Sequence, residues 1–348
     1  MSSRGAITLA LAAAALALAA CGPDAASRAA GDPLELRLVS QFPRQSILAA
    51  PTRFVEEELA RRFGERLRIR AFYGGALVTP EEQLAAIGRG VADAGTGFWI
   101  YAPGRLPLGG FEYRFVLNDP DVRAQAAVKR RMFETIPALG AELAAANVAP
   151  PLVFAPLSPY LLLSREPIRS LDEVRGKRVG FTPVEYVPLF RSLGAVPVLS
   201  PASEFYERLG LGVVDAVLVS VEILYLFRLH ELAPHLLDLA LNTPTPGSVW
   251  VNLDYWNALA PDERARFADA GRAAEARYLD LLEQEVRRAR AALLAAGVSV
   301  SRPSDASIRA WASRLPPFAR EWAAAMDARG LPGSAVVDAY VALSGATP

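Results

Sequence analysis

The chain has 348 residues, more than the roughly 150 that one hydrophobic core usually organises, so two domains are expected. Lys+Arg and Asp+Glu both total 37, leaving no net charge, no basic surface to suggest nucleic acid and no acidic tail to suggest a cation store. A neutral or small partner is expected; the cations are nearly all arginine, with Lys129 and Lys177 the only lysines, and this bias carries no functional weight.

In chain order, a short cationic start (Met1 to Gly5) precedes the apolar run AITLALAAAALALAA, and residues 1–20 read as a secretory signal. The run is too short for a comfortable membrane span of roughly 20 residues. It ends in Leu18-Ala19-Ala20-Cys21, which resembles a bacterial lipobox and implies lipid on Cys21, with residues 21–33 as a small, polar tether. The alternative is ordinary signal cleavage beside an incidental cysteine. Cys21 is the only cysteine, so disulfides and cysteine-based metal sites are excluded.

The folded body is expected to begin after Pro33. LELRLVS (34–40) alternates as a strand, SILAAPTRFVEEELARRFG reads as a helix ending at Gly64, and LRIRAFY (67–73) is a second strand. Thr79-Pro80-Glu81-Glu82 predicts a capped helix start, and VADAGTGF opens a third strand. The same order then recurs. GKRVGF (176–181) is a strand, VEYVPLFRSLG a helix, AVPVLS a strand, SEFYERLGLG a helix capped by Ser203, and VVDAVLVS a strand. IGRGVADAG and LGLGVVDA mark the matching step in the two copies, with Asp93 and Asp215 as turn residues that accept backbone N–H bonds. Each copy is β-α-β-α-β, so the fold class is α/β with two doubly wound, parallel sheets. SVWVNLDYW (248–256) reads as a returning strand, and the helix starting at Pro261 is unbroken to Gly297, long enough to brace both lobes. A helical tail completes the chain.

Ligands of open α/β sheets bind beyond the carboxyl ends of the strands. The loops expected at the cleft carry Gln41, Phe42, Phe98 and Trp99 on one side, and Gly180, Phe181, Thr182, Val217, Val219 and Ser220 on the other. Each aromatic has a plain alternative as core filling between sheet and helix. His230 and His235 do not share a helix face well and have no partner set for a metal. No G-x-S-x-G elbow, P-loop or dinucleotide fingerprint occurs, so no catalytic residue, cofactor or metal is assigned and an enzyme is the weaker hypothesis.

GGALVTPEEQLAAIGRGVADAG, SREPIRSLDEVRGKRVG, LGAVPVLSPASEFYERLGLGVVDA and WVNLDYWNALAPDERARF, with the long helix behind them, resemble the DctP-type substrate-binding proteins of tripartite ATP-independent periplasmic (TRAP) transporters. The resemblance runs from about Leu34 to residue 300. It implies a bilobal periplasmic-binding-protein fold with a long bracing helix, which delivers a small molecule to the membrane subunits of a TRAP permease. Residues 34–157 plus 243–283 then form lobe one, and 158–242 plus 284–340 lobe two. The family commonly ends the segment written here as LDEVRGKRVG with an arginine that clamps a substrate carboxylate. Gly180 stands in that place, and an oily run, Val217 to Val219, replaces polar residues after Asp215-Ala216. An uncharged or largely apolar ligand is therefore expected, since burying an unpaired carboxylate costs several kcal/mol. The competing reading keeps an organic acid and moves the clamp to Arg165. A ligand-sensing lipoprotein without transport, and an enzyme using Asp93, Asp215 or Glu222, remain further alternatives.

Overall fold

The computed structural model describes residues 33–346. Cys21, with the signal and tether assigned to the N-terminus, lies outside the described residues.

The strands, in chain order, are β1 (Leu34–Val39), β2 (Leu67–Phe72), β3 (Ala94–Phe98), β4 (Val153–Ala155), β5 (Tyr160–Ser164), β6 (Arg178–Phe181), β7 (Val196–Leu199), β8 (Ala216–Ser220), β9 (His235–Leu241), β10 (Gly247–Val251) and β11 (Ser299–Ser301). They form a five-stranded sheet, β2-β1-β3-β10-β4, and a six-stranded sheet, β11-β9-β5-β8-β6-β7. The two β-α-β-α-β copies are present as the parallel sets β1-β2-β3 and β6-β7-β8.

The sheets are not wholly parallel. β10 runs antiparallel between β3 and β4, and β5 runs antiparallel to both β8 and β9. These are the strands on which the chain changes lobe, and they must run backwards because they carry it away from, or into, the cleft end of a sheet. The expected long strand over 248–256 stops at Val251, because the Asn252 side chain accepts the Tyr255 N–H and caps a new helix, Leu253–Ala258. Ser203 does not cap its helix; Phe205–Gly210 follows a 3₁₀ turn at Ala202–Glu204. Thr79 instead makes a local turn with Glu82, its hydroxyl donating to the carboxylate at 2.9 Å, and the helix proper is Gln83–Gly88.

The long helix spans Pro261–Ala295, and its 35 residues reach about 52 Å. Proline opens it and the Glu263 carboxylate accepts the Ala260 N–H at 2.9 Å, closing its first turn. Its first part buries Phe267, Ala270, Ala274 and Tyr278 in the core of lobe one, with Leu36, Val55 and Val251. Its last turns bury Ala289 and Leu293 in a core of lobe two, with Leu163, Val217 and Leu236. Tail residues depart from the expected division. Trp311 joins the lobe-two core, but the helices Phe318–Asp327 and Gly333–Ser344 pack on Phe111, Phe115, Met132 and Leu139, segments that follow β3. Their apolar faces (Trp322, Met326, Tyr340) are needed there because that segment has no sheet of its own to cover it.

Candidate solute site

The chain leaves lobe one through Pro156–Pro159 and returns through Asn242–Pro246, both beside the cleft. Each crossing is pinned by buried polar groups. Glu222 accepts the Ser158 N–H at 3.0 Å and also the Ser158 hydroxyl, and the Tyr278 hydroxyl donates to the Pro156 carbonyl at 2.6 Å. On the return, Asn118 accepts the Thr243 N–H at 2.6 Å and the Asn242 amide donates to the Glu112 carbonyl at 2.7 Å. A buried ion pair lies behind this crossing. The Lys129 ammonium is 2.9 Å from Glu112, which also accepts the Thr245 N–H, and it faces the rings of Phe111 and Trp99. Burial pulls the Lys129 pKa down against the pull of Glu112.

Between the lobes is a cavity of about 120 Å³. Lobe one contributes Phe42 and Phe98, in an edge-on pair at 5.5 Å, with Tyr101 beyond. Lobe two contributes Tyr160 at the head of β5, Thr182 and Pro183 after β6, Phe205, and Val219 and Ser220 at the end of β8. Phe98, Thr182, Val219 and Ser220 sit at strand ends expected to face a cleft, whereas Phe205 opens a helix after β7. None of the lining residues carries an acidic or basic side chain. Burial pushes the Tyr101 and Tyr160 hydroxyls above the ordinary range, so both remain neutral donors at physiological pH. Thr182 has already given its proton to the Ser200 carbonyl at 3.1 Å, whereas the fully buried Ser220 hydroxyl has no protein partner.

Phe42, Phe98, Thr182, Val219 and Ser220 are therefore where the sequence expects them. Gln41 precedes Phe42 but does not line the cavity, although its side-chain oxygen is buried and unpartnered. Trp99 points into lobe one, where Trp250 and Phe133 hold it at 5.4 and 5.5 Å, because β3 ends at Phe98 and the next residue turns inward. Phe181 is wholly buried and stacks on Phe190 at 5.0 Å, and Val217 is a core residue on the same side of β8 as Phe205. Gly180 lies one layer behind the wall, and the space beside it is filled rather than open: a Cβ there would meet Val217, Val214 and Phe205.

Arg165 is the clearest correction. β5 starts at the cleft with Tyr160, paired with Ser220, and ends at Ser164, paired with Ala216. Arg165 thus lies roughly 17 Å from the cavity, at the far end of the strand, where its N–H donates to the Asp215 carbonyl at 3.1 Å. It cannot clamp a ligand in this cleft, and Glu166 pairs instead with Lys177 at 3.2 Å.

Sequence reasoning missed Tyr160, Phe205, Ile223 and Phe227. Tyr160 belongs to an antiparallel strand outside the repeat. Ile223 lies on the short helix Val221–Leu226 that follows the strand end, and Phe227 caps that helix. Outside the lining, Arg114 approaches Glu185 at 3.7 Å, too far for a hydrogen bond. Burial raises the Glu185 pKa and lowers that of Arg114.

Two α/β lobes joined by pinned crossings, with a cavity between them, have the architecture of a bilobal binding protein. The family model "Bacterial extracellular solute-binding protein, family 7" (DctP) matches residues 43–325, and the chain belongs to that family. The outer membrane transporter protein TsaT of Comamonas testosteroni is 23% identical over 273 residues, covering 78% of this chain and 80% of its own. A TRAP periplasmic solute-binding protein from Desulfovibrio salexigens superposes with a TM-score of 0.77 at 22% identity, over 89% of this chain and 95% of that one. An extracytoplasmic solute receptor from Bordetella pertussis that binds pyroglutamic acid gives 0.72 at 20% identity, over 88% and 99%. A TRAP protein from Sulfitobacter with bound β-D-galacturonate gives 0.73 at 15% identity, over 88% and 99%. Among the described residues no helix is long and apolar enough to cross a membrane.

Proposed function

We propose that the chain is the solute receptor of a TRAP transporter and captures a small, uncharged or largely apolar ligand between its lobes for delivery to the membrane permease subunits. The observation that carries this reading is the lining of the cavity: aromatic and aliphatic walls, hydroxyl groups as the only side-chain polar atoms, and no ion. A ligand dehydrated there gains from apolar contact at about 25 cal/mol per Å², while an unpaired carboxylate loses several kcal/mol. The volume, about 120 Å³, is close to the ~150 Å³ apolar cavity known to hold benzene, so the reading favours a compact ring or short branched molecule. Ser220, with its free hydroxyl, is proposed to orient the polar end. The LAAC sequence supports a lipid on Cys21 that keeps the receptor at the membrane surface.

A second reading, an organic acid, is favoured by the acids bound to the Bordetella and Sulfitobacter proteins. In this chain it would require Arg114 to leave Glu185 and turn toward the cavity. Native mass spectrometry of the receptor purified from its own periplasm, followed by solvent extraction, separates the two. A neutral aromatic or aliphatic compound supports the first reading; a carboxylic acid whose retention is lost in Arg114→Met replaces it with the second. A receptor sensing occupancy without transport predicts no solute uptake defect when the chain is deleted.

A further inference from the structure

Gly180, in β6, has a neighbour on the cavity wall. A Cβ at this position would stand 3.2 Å from Val217 Cγ1, 3.3 Å from Val214 Cγ1 and 3.6 Å from Phe205 Cε1. Phe205 lines the cavity and is only 1% exposed, whereas Gly180 does not line it. The ring therefore rests on the glycine, with strand backbone on one side and the cavity on the other. Val214 and Val217 fill the space to the side and belong to the same core as Phe205. A methyl at 180 meets the two valines at a separation tighter than ordinary contact but the ring at an ordinary one, and a longer side chain has no free space to enter there.

We infer that the Gly180–Phe205 pair sets the depth of the cavity on the lobe-two side, and with it the largest solute the receptor accepts. The ring is the floor, and it lies at ordinary contact distance over the glycine. Removing the ring opens space toward the Gly180 Cα and the side chains of Val214 and Val217, all carbon, so the added space favours a longer apolar tail rather than a charge. This inference rests on the cavity being the solute site, as proposed above.

The test uses calorimetric titration of the mature receptor with benzene, toluene and n-butylbenzene, together with crystals of the Phe205 variants pressurised with xenon. The wild type is expected to prefer the two small probes. Phe205→Ala, or Phe205→Leu if the first does not fold, should bind n-butylbenzene at least tenfold more tightly relative to benzene than the wild type does. Gly180→Ala, whose methyl presses on Val217 and Val214 but meets the ring at an ordinary 3.6 Å, should leave the order of the three probes unchanged. Phe42→Ala, on the facing lobe, should weaken them without changing their order. A xenon peak beside the Gly180 Cα is expected in the Phe205 variant and absent from the wild type. If the wild type binds no probe but the xenon peak appears, the floor assignment stands and the apolar-solute reading falls. If the probes bind with their order unchanged in Phe205→Leu and no xenon peak appears, the floor assignment is overturned.

Discussion

Asp93 accepts three hydrogen bonds from Arg37: its backbone N–H at 2.7 Å, Nε at 3.0 Å and Nη2 at 2.6 Å. Arg178 and Asp215 repeat the arrangement in lobe two at 2.8, 3.1 and 2.6 Å. In each lobe the acid just before the third strand of the repeat fastens the first strand, at Arg37 within β1 and at Arg178, the first residue of β6. The bonds go across to a neighbouring strand, so the recurring aspartates are staples of the sheet rather than turn caps. Asp93, the more buried of the two, should lose roughly 1–3 kcal/mol of stability on change to Ala, with a smaller loss for Asp215→Ala, and neither should alter solute affinity. Chemical denaturation and ligand titration of both variants check this; a selective loss of affinity without a loss of stability would sink it.

Arg178 holds the Asp215 carboxyl below the ordinary range, chiefly through its side-chain hydrogen bonds. The group binds protons less readily folded than unfolded, so its stabilisation is present above the ordinary carboxylate range and is lost as the pH falls through the depressed value. Asp215→Asn should accordingly narrow its stability gap from the wild type on acidification below pH about 4.

Glu142 behaves in the opposite way. Burial raises it to about 7, against the lowering effect of its bonds from the Leu108 and Gly109 N–H groups at 2.7 and 3.2 Å. Its folded form holds the proton more tightly than the unfolded one, so this contribution is complete below the ordinary value of 4.5 and is lost as pH rises through about 7. Thermal melts of Glu142→Gln between pH 4.5 and 8 should fall less steeply with pH than those of the wild type; parallel curves would refute the assignment.

Lys129→Met leaves Glu112 buried without its cation, and should cost roughly 3–5 kcal/mol. Adding Glu112→Gln, which keeps an acceptor for the Thr245 N–H, should recover part of that loss. An additive double variant, measured by denaturant unfolding, would mean that the pair is not coupled.

Glu222 pins Ser158 at the outward crossing, so Glu222→Ala should destabilise the receptor by roughly 1–3 kcal/mol and change the rate of solute release. Stopped-flow fluorescence with a bound probe reads the release rate. An unchanged rate with unchanged stability would mean that Glu222 does not hold the crossing.

The repeat was legible because both copies keep the same alternation of period-two and helical segments, from Leu34 to Phe98 and from Gly176 to Ser220. Of the strands that carry the chain between lobes, β10 was legible as the returning strand, but β5 and β9 were not. LLLS in β5 and HLLDLAL in β9 are short apolar runs buried on both faces, and such runs do not reveal their direction. The cleft-facing residues at strand ends were legible to within a residue or two, which is enough to place Phe98 correctly and Trp99 on the wrong side. Arg165 shows the limit. Its place along the chain resembles that of a ligand-contacting arginine, but the backward run of β5 carries it to the opposite end of the sheet, and direction is a property of the topology that no local pattern contains.

The long helix is fastened to lobe one through Tyr278 and Leu282, and to lobe two from Ala289 onward, with no wholly buried residue at 283–288. Val286 alone in that stretch packs against both cores. A change in the angle between lobes has therefore to be taken up as curvature over these two turns, where hydrogen bonds facing solvent can lengthen without emptying a core. The helix is thus a beam clamped at both ends, and the stretch between the clamps, 283–288, is where its own hydrogen bonds rather than core packing hold its shape.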